Sequence, residues 1–512
     1  MLSLSRCARG LVPLALTALL RTANAQQTPP LSQPCPQLLS QASRCPIGPL
    51  TLANAVDIAQ RQGLSAEASR DALAEARARN AAFNARLRPQ VTLSSQAANY
   101  NHAIVPVPQQ DGSTAFRPQS QNQSSMGLIV SQPLPWLGST LSVGSYLSRL
   151  DVTTPLAGGP TTTRTYRSTP FLVSLTQDLL KPRTVLWDSR AQDLRATLAE
   201  RQYVESREDL AINTASAFFD YYAATVALRN ATSNVAVNDT LYTLNKGRFE
   251  VGKIGENDLL QSELQLLRAR ASLDGAKLER DRSESALRRL INVHAADTLV
   301  VVPPQDAPTI EVDPDLAVSQ ALRNSSVSEQ ALLDSVVARR SVTAARLSNG
   351  FGATISAGYG VNQTSPLFGL AYAAPLPQQS LSVQVDMPLF QWGGGRADVQ
   401  AARAEQARVA SSSRARREQT VEDARYAALQ LTQSQRMLLI AAKADTVAQK
   451  RFEVAKNRYV IGKIGVSDLY IAQNEKDQAL ESYVQALRSF WTNYYRLRRV
   501  TLYDFAEKAE LR

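Results

Sequence analysis

The strongest constraint on the fold of this chain is a motif that occurs twice, 210 residues apart. The run RFEVGKIGENDL begins at Arg248, and the run RYVIGKIGVSDL begins at Arg458. The same offset separates Leu179 from Leu389, so a block of about 110 residues is repeated without a net insertion. Repetition of this kind indicates one structural unit that has been duplicated.

The two copies differ in length upstream of that block. Ala85-Arg86-Leu87 matches Ala345-Arg346-Leu347 at an offset of 260 instead of 210, which places about 50 additional residues in the first copy. A segment rich in Pro and Asp joins the copies. The predicted divisions are a first repeat at residues 51–299, a joint at 300–315, a second repeat at 316–505 and a C-terminal tail at 506–512.

Each copy is predicted to run in the order helix, strands, long helix, turn, helix. From Phe351 to Val361, apolar residues alternate with Gly, Ser and Thr, which predicts a strand with one apolar face and one small polar face. Residues 187–248 contain no Pro, and as one helix they would measure roughly 93 Å, longer than helices of compact domains. The predicted elements are strands within 91–180 and at 351–361 and 380–388, long helices at 187–248 and 396–460, and return helices at 257–293 and 467–502.

Residues 1–25 are predicted to be an export signal peptide. Arg6 and Arg9 precede an apolar stretch from Leu11 to Leu20, and Ala23-Asn24-Ala25 forms a small-residue cleavage site. No run of 18 apolar residues follows, so no transmembrane helix is predicted. An exported bacterial protein of this kind would lie in the periplasm, in the medium or in the outer membrane as a barrel.

The Pro-rich N-terminal segment at residues 26–50 contains Cys35 and Cys45. In an oxidising compartment, an even pair of Cys ten positions apart favours a local disulfide. Two unpaired thiols are the alternative.

Composition and motifs argue against catalysis and nucleic-acid binding. Lys and Arg exceed Asp and Glu by 56 to 45, but the basic residues are spread along the predicted helices instead of forming one patch. Three Cys and two His provide few possible ligands for a Cys/His metal site. His102 and His294 have no neighbours that suggest a triad, and no nucleotide-binding, metalloprotease or serine-hydrolase motif occurs. We therefore expect no enzyme activity, no cofactor, no metal site and no nucleic-acid partner.

Three features of the sequence resemble the TolC-like family of outer-membrane efflux and secretion channels. The first is the duplicated element order, and the second is the run DMPLFQWGGG from Asp386 to Gly395, at a strand-to-helix junction. The third is a pair of turns in which Asp follows Gly by six positions, Gly252 with Asp258 and Gly462 with Asp468. The resemblance covers nearly the whole chain after the signal peptide.

The resemblance implies a mixed fold, a membrane β-barrel plus a long α-helical coiled-coil tunnel, with the barrel shared by a homotrimer in the bacterial outer membrane. It also implies a periplasmic adaptor protein, an inner-membrane pump and outer-membrane lipid as partners. The chain would then be a passive exit duct in which the partners drive transport, with the helical tunnel in the periplasm. The competing hypothesis is a non-conducting coiled-coil structural protein of the envelope. Neither the class of pump nor the cargo, whether drug, metal or protein, can be read from the sequence.

The number of strands per subunit is left open by the sequence. The family usually contributes four strands, two from each repeat. The 50 additional residues could add a further hairpin, which would give six strands per subunit and 18 in a trimer. They could also form an extended loop with an irregular stretch at residues 161–167, and this is the favoured alternative.

The two glycine turns are predicted to dock the adaptor at the periplasmic end of the tunnel. Both share the pattern Arg-aromatic-x-x-Gly-Lys-Ile-Gly, and glycine permits a tight reversal as well as close approach by a partner backbone. The alternative is that the glycines only make the turn. The residues predicted to dock the adaptor are Gly252, Lys253, Gly255, Gly462, Lys463 and Gly465.

A gate at the same end is implied by the resemblance. In the family, the Asp of the second turn lines the entrance, while the Asp of the first turn bonds to the neighbouring hairpin, whose Tyr and Arg hold the entrance shut. Asp468, Asp258 and Tyr459 match the two acids and the Tyr, but Ile464 stands at the Arg position, with Lys463 beside it. We therefore expect Asp258, Tyr459, Lys463 and Asp468 to form the gate.

The entrance is expected to carry fewer acids than in the family. Ile471 stands where the family has its second entrance acid, so one ring of three Asp468 carboxylates is expected instead of two rings. The alternative is purely structural, because acids in a first helical turn interact favourably with the helix dipole. Asn257 and Ser467, just before the two acids, would then be N-caps.

Overall fold

The computed structural model describes residues 49–108, 112–156, 159–293, 299–304 and 308–511. The predicted signal peptide, Cys35, Cys45 and His294 lie outside these ranges. All the helices and strands named below belong to the unit formed by Pro49–Ala295 and Val300–Arg512.

The duplication is visible in the lengths of the helices. The two long helices have 67 residues each, about 100 Å at 1.5 Å per residue, and the two return helices have 36 each. The ends of these four helices lie within three residues of the predicted ones. The helices of the described ranges are α1 Leu52–Gln62, α2 Leu64–Arg86, α3 Thr184–Glu250, α4 Glu256–Ile291, α5 Pro314–Asn324, α6 Ser326–Ser348, α7 Gly394–Val460 and α8 Val466–Thr501.

Short helices flank each long helix along its length. α1 and α2 pack against one half of α3, and α4 packs against the other half. The ends of α1 and α4 meet, since the Gln62 side chain donates to the Ile291 carbonyl (3.3 Å) and the Asn292 side chain donates to the Gln62 carbonyl (3.2 Å). Sparse apolar residues along α3 thus find neighbours on more than one side. Within the described residues, no helix combines the length and apolar character that crossing a bilayer requires.

Most of the strands form one large antiparallel sheet. The strands of the described ranges are β1 Leu50–Thr51, β2 Gln90–Pro108, β3 Thr114–Leu134, β4 Ser139–Leu156, β5 Gly159–Leu179, β6 Val301–Val302, β7 Gly352–Ser365, β8 Leu376–Asp386, β9 Tyr503–Asp504 and β10 Ala509–Glu510. The large sheet has the order β2-β3-β4-β5-β7-β8, in which β2 and β8 are the unpaired edges. Two short pairs, β1 with β6 and β9 with β10, lie outside this sheet.

The additional residues of the first copy form strands, so the extended-loop interpretation is wrong. Residues 161–167 belong to β5 and pair along their length with β4, from Thr161 opposite Thr154 to Arg167 opposite Ser148. The stretch is rich in Thr, whose branched side chain suits an extended backbone, and cross-strand hydroxyl pairs support it. The hydroxyls of Thr153 and Thr162, for example, are 2.8 Å apart. The chain therefore supplies all six strands of this sheet.

The strand register separates two faces of the sheet. One row of directly paired residues runs Leu141, Leu175, Ala357 and Leu381. The adjacent row of directly paired residues, one position further along β4, contains Ser142, Ser174, Gly358 and Ser380. Because neighbouring residues in a strand point to opposite faces, the first row belongs to an apolar face and the second to a small polar face. Leu381 is 74% exposed, so the apolar face is not covered within the subunit.

Candidate functional site

Both hairpin tips reverse direction with the same backbone geometry. At the first tip, Gly252 has a φ of +68°, and the Lys253 N–H donates to the Arg248 carbonyl (2.8 Å). The second tip repeats this geometry at Gly462, with a φ of +73° and an equivalent hydrogen bond of the same length. These helix endings need a left-handed residue, which only glycine supplies without strain. Gly252 and Gly462 are thus required by the turns themselves.

Gly255 and Gly465 differ from the first pair of glycines. They are the N-cap residues of α4 and α8, with extended backbones at φ −83° and −74°. The prediction that Asn257 and Ser467 are the N-caps is therefore wrong, because each is already the second residue of its helix. A side chain added at Gly255 would meet nothing within 4 Å, and one at Gly465 would meet only the Asp468 carboxylate at 4.0 Å. These two positions can accept a side chain without strain.

The two predicted gate acids occupy equivalent positions in the first turns of α4 and α8. Asp258 is half-buried and Asp468 is exposed, and each is the third residue of its helix. Within the described part of one subunit, neither carboxylate makes a side-chain hydrogen bond or an ion pair. Lys463 is exposed and also makes no ion pair there. The structure therefore does not bring Asp258 or Lys463 to Tyr459 inside one subunit.

Tyr459 is buried and holds the second tip against α3. It is 4% exposed and packs with Leu241 and Leu469, and its hydroxyl donates to Oδ1 of Asn245 (2.6 Å). The Arg248 guanidinium lies 5.2 Å from the centre of the Tyr459 ring. The Arg248 guanidinium also donates a hydrogen bond to the backbone carbonyl of Val460, the residue after Tyr459 (3.2 Å). Among the described residues, the polar and cationic partners of the Tyr459 side chain are thus Asn245 and Arg248.

Sequence reasoning did not identify Asn245 as a gate candidate, although a signal was present. Asn234, Asn238 and Asn245 follow one another at intervals of four and seven residues, which places them on one face of α3. That face packs against α8. Buried polar side chains at such spacing predict a polar contact between helices.

A polar seam joins α3 to the second hairpin near the tips. We define it as Asn234, Asn238, Asn245, Tyr459, Tyr470, Gln473 and Asp477. Asn234 Nδ2 donates to Asp477 Oδ2 (2.7 Å), and the Asn245–Tyr459 hydrogen bond lies nearer the tips.

Several atoms of the polar seam are buried without a hydrogen-bond partner. Among the described residues these are Oδ1 of Asn238, Nδ2 of Asn245, the Tyr470 hydroxyl and Oε1 of Gln473. Burial, together with the nearby Tyr459, raises the pKa of Tyr470 to about 12. Each unsatisfied group destabilises the packed state by about 1–3 kcal/mol. These unsatisfied groups therefore lower the net stabilisation that the polar seam gives to the packing of α3 against the second hairpin.

A family model described as "Outer membrane efflux protein" matches residues 123–293 and 316–501 of the chain. The two matched segments together span more than two thirds of it. No match was found among curated protein sequences.

Several solved structures share the fold. The CmeC outer membrane channel of Campylobacter jejuni is 16% identical with a TM-score of 0.63, over 88% of this chain and 85% of that one. The outer membrane protein VceC of Vibrio cholerae is 14% identical with a TM-score of 0.62, over 88% and 95% of the two chains. The open state of the MtrE outer membrane channel of Neisseria gonorrhoeae is 16% identical with a TM-score of 0.59, over 88% of each chain. These similarities establish the fold.

Proposed function

Because this chain belongs to the outer membrane efflux protein family, we propose that it is the passive exit duct of a tripartite export system. The chain is an outer-membrane transport protein and not an enzyme. In the proposed assembly, three copies share one barrel and one periplasmic tunnel, and an inner-membrane pump with a periplasmic adaptor supplies the cargo.

The single observation that carries this proposal is the two-faced sheet with unpaired edges. An apolar face suits lipid, and a small polar face suits a water-filled lumen. Exposed edges such as β2 and β8 invite pairing, and a closed ring removes them. Three six-stranded sheets would close as 18 strands, a number at which barrels enclose an aqueous channel. A non-conducting coiled-coil envelope protein has no use for such a sheet.

Closure by edge pairing can be tested with engineered cysteines. After Cys35 and Cys45 are replaced, a cysteine at Ser94 on β2 would be combined in turn with one at Ser380, Ser382 or Gln384 on β8. One register should give a cross-linked trimer under mild oxidation. If all combinations give monomers, the shared barrel is refuted.

Conduction is tested by planar-bilayer recording of the purified protein. We propose that the polar seam keeps the periplasmic entrance closed, so the parent should conduct weakly and a variant with a weakened seam should conduct strongly. If purified trimers of every seam variant insert but carry no current, the duct is refuted and the structural role is favoured.

We also propose that the tip residues Gly252, Lys253, Gly255, Gly462, Lys463 and Gly465 dock the adaptor. Gly255→Leu and Gly465→Leu are the sharp tests, because both positions accept a side chain without strain. The double variant should assemble and conduct like the parent but lose export in cells. Replacing Gly252 or Gly462 would instead distort the turn, since both have positive φ. Normal export by the Gly255→Leu/Gly465→Leu variant would mean that the adaptor does not contact these two positions.

A further inference from the structure

The large sheet has a helix end and a loop end that can be distinguished by their residues. The helices α2 and α6 end just before the starts of β2 and β7, and the long helices α3 and α7 begin just after the ends of β5 and β8. This end of the sheet therefore faces the helices. At this helix end, Trp136 lies exposed in the turn between β3 and β4. At the loop end, the segment between β7 and β8 folds back onto β5, where the Ser168 hydroxyl donates to the Ala371 carbonyl.

An aromatic cluster marks a level on the apolar face towards the loop end. The rings of Tyr166 and Phe368 are 5.7 Å apart and edge to face, and those of Phe368 and Tyr372 are 6.2 Å apart. Phe368 is 55% exposed. Aromatic girdles of this kind lie at the membrane–water interfaces of outer-membrane barrels.

Two arginines and one aspartate lie at the same level on the same face. Along β4, Leu141, Val143, Leu147, Arg149 and Asp151 occupy alternate positions and so share the apolar face. Arg149 is directly opposite Tyr166 of the aromatic cluster, and Asp151 is directly opposite Arg164. We call Arg149, Asp151 and Arg164 the charged triad.

The height of the charged triad agrees with the outer edge of the membrane. From Ser139, at the helix end of β4, to Arg149 is ten residues, roughly 33 Å along the strand. At a strand tilt of about 40°, this corresponds to roughly 25 Å along the membrane normal, the usual height of the apolar band of a barrel. The triad would therefore lie where lipid headgroups begin.

Asp151 positions both guanidinium groups side by side. Arg149 Nε donates to Asp151 Oδ1 (3.1 Å), and Arg164 Nε donates to the same oxygen (2.9 Å). One terminal nitrogen of each arginine donates to Oδ2. The Asp151 side chain is only 14% exposed, whereas those of Arg149 and Arg164 are 41% and 49% exposed. Two cations against one carboxylate leave an excess positive charge, with guanidinium edges open to a ligand.

We propose that the charged triad binds the phosphate group of a phosphorylated lipid of the outer leaflet. A planar guanidinium pairs with phosphate through parallel N–H···O hydrogen bonds, so two guanidiniums held together suit a phosphate dianion. The surrounding apolar face and aromatic cluster would contact the acyl chains and the headgroup boundary. This inference rests on the proposed insertion of the sheet into the membrane, but not on conduction.

The chain offers a matched control for this proposal. Arg117 on β3 and Arg167 on β5 alternate along their strands with the residues of the apolar face, so both lie on the small polar face. Arg117→Gln/Arg167→Gln therefore removes the same charge as Arg149→Gln/Arg164→Gln, but from the opposite face. A triple variant, Arg149→Gln/Asp151→Asn/Arg164→Gln, guards against misfolding caused by an unpaired Asp151.

The experiment measures binding of diphosphoryl lipid A to the purified trimer in detergent, by native mass spectrometry and by titration of thermal stability. We expect the parent and the Arg117→Gln/Arg167→Gln variant to bind with the same affinity. The double and triple triad variants should bind with an affinity lower by a factor of about ten or more, because charge-assisted hydrogen bonds are lost. Dephosphorylated lipid A should bind all variants equally weakly.

Three outcomes would overturn the proposal: equal binding by parent and triad variants, an equal loss in the Arg117→Gln/Arg167→Gln control, or equal affinity for the dephosphorylated lipid. Bilayer conductance of the same variants keeps the proposal separate from the duct function. Triad variants that lose lipid binding should still conduct like the parent, whereas polar-seam variants that bind lipid A but carry no current would refute the duct alone.

Discussion

The hydrogen bond between Tyr459 and Asn245 gives the most direct test of the gate. Tyr459→Phe removes the hydroxyl that donates to Asn245 Oδ1 and leaves the ring in its apolar surroundings. Asn245 is fully buried and its Nδ2 already has no partner among the described residues. The variant would thus leave the whole Asn245 amide unsatisfied in the packed state, while opening would expose it to water.

The size of the effect follows from the cost of burying an unpaired polar group. Losing the bond should destabilise the closed state by about 1–3 kcal/mol per subunit. At about 1 kcal/mol, the ratio of open to closed subunits rises about fivefold if subunits open independently. If three subunits open together, about 3 kcal/mol raises the ratio roughly 150-fold. The dependence on cooperativity makes the measured factor informative in itself.

Two further variants of the polar seam serve as controls, because neither is expected to favour the open state as Tyr459→Phe does. Tyr470→Phe also removes a buried hydroxyl, but one without a partner among the described residues, so it should favour closure by about 1 kcal/mol. Tyr459→Phe/Asn245→Leu replaces both partners with apolar groups and should return the protein to the closed state, since an apolar pair leaves nothing unsatisfied.

The assay is the open probability of single trimers in planar bilayers. The expected order, from most to least open, is Tyr459→Phe, then the parent, then Tyr470→Phe, with the Asn245→Leu double variant near the parent or below it. If Tyr459→Phe and Tyr470→Phe change conductance in the same direction and by the same factor, the hydrogen bond does not hold the entrance, and Tyr459 is a packing residue.

Three further predictions test the entrance, the sheet and the helical core. Asp468→Asn should lower cation selectivity, seen as a shift in reversal potential under a salt gradient, because a ring of three exposed carboxylates is lost; an unchanged potential would leave Asp468 as a helix-terminus residue only. Leu381→Arg on the apolar face should destabilise membrane insertion by about 2–4 kcal/mol, while Ser382→Arg on the small polar face should leave insertion intact, and equal insertion of both would contradict the assigned faces. Glu208 is buried, and burial raises the pKa of its carboxyl despite the ion pair with Arg498 (3.0 Å). The stabilising contribution of Glu208 to the folded state is present below the usual pKa near 4.5 and is lost as the pH rises through the raised pKa. The thermal unfolding midpoint of the parent should therefore fall relative to that of Glu208→Gln between pH 4.5 and 7.5. Parallel pH profiles of the two proteins would contradict this.

The proposed gate shows how far local sequence patterns can predict a site. The turn glycines and the first-turn positions of Asp258 and Asp468 follow from the repeated motif, because turn geometry and helix starts depend on a few neighbouring residues. The partner of Tyr459 does not follow, because Asn245 lies 214 residues earlier in the chain. Only the packing of α3 against the second hairpin brings these two side chains together.

The sheet illustrates the same limit in another way. Alternation predicts strands with two faces, and the offsets of 210 and 260 predict where the additional residues lie. Whether those residues pair or form a loop depends on neighbouring strands. The Thr-rich stretch at residues 161–167 pairs with β4, and its last two residues pair with β7 as well.

The duplication, the lengths of the long helices and the two-faced character of the strands can be read from the order of residues alone. Each of these is periodic or local, and a repeat or an alternation survives in the order of residues. The six-stranded register, the incompletely hydrogen-bonded polar seam and the meeting of Arg149, Asp151 and Arg164 on one face emerge only when the chain is folded. These depend on distances between segments far apart in the chain, and such distances are set by packing.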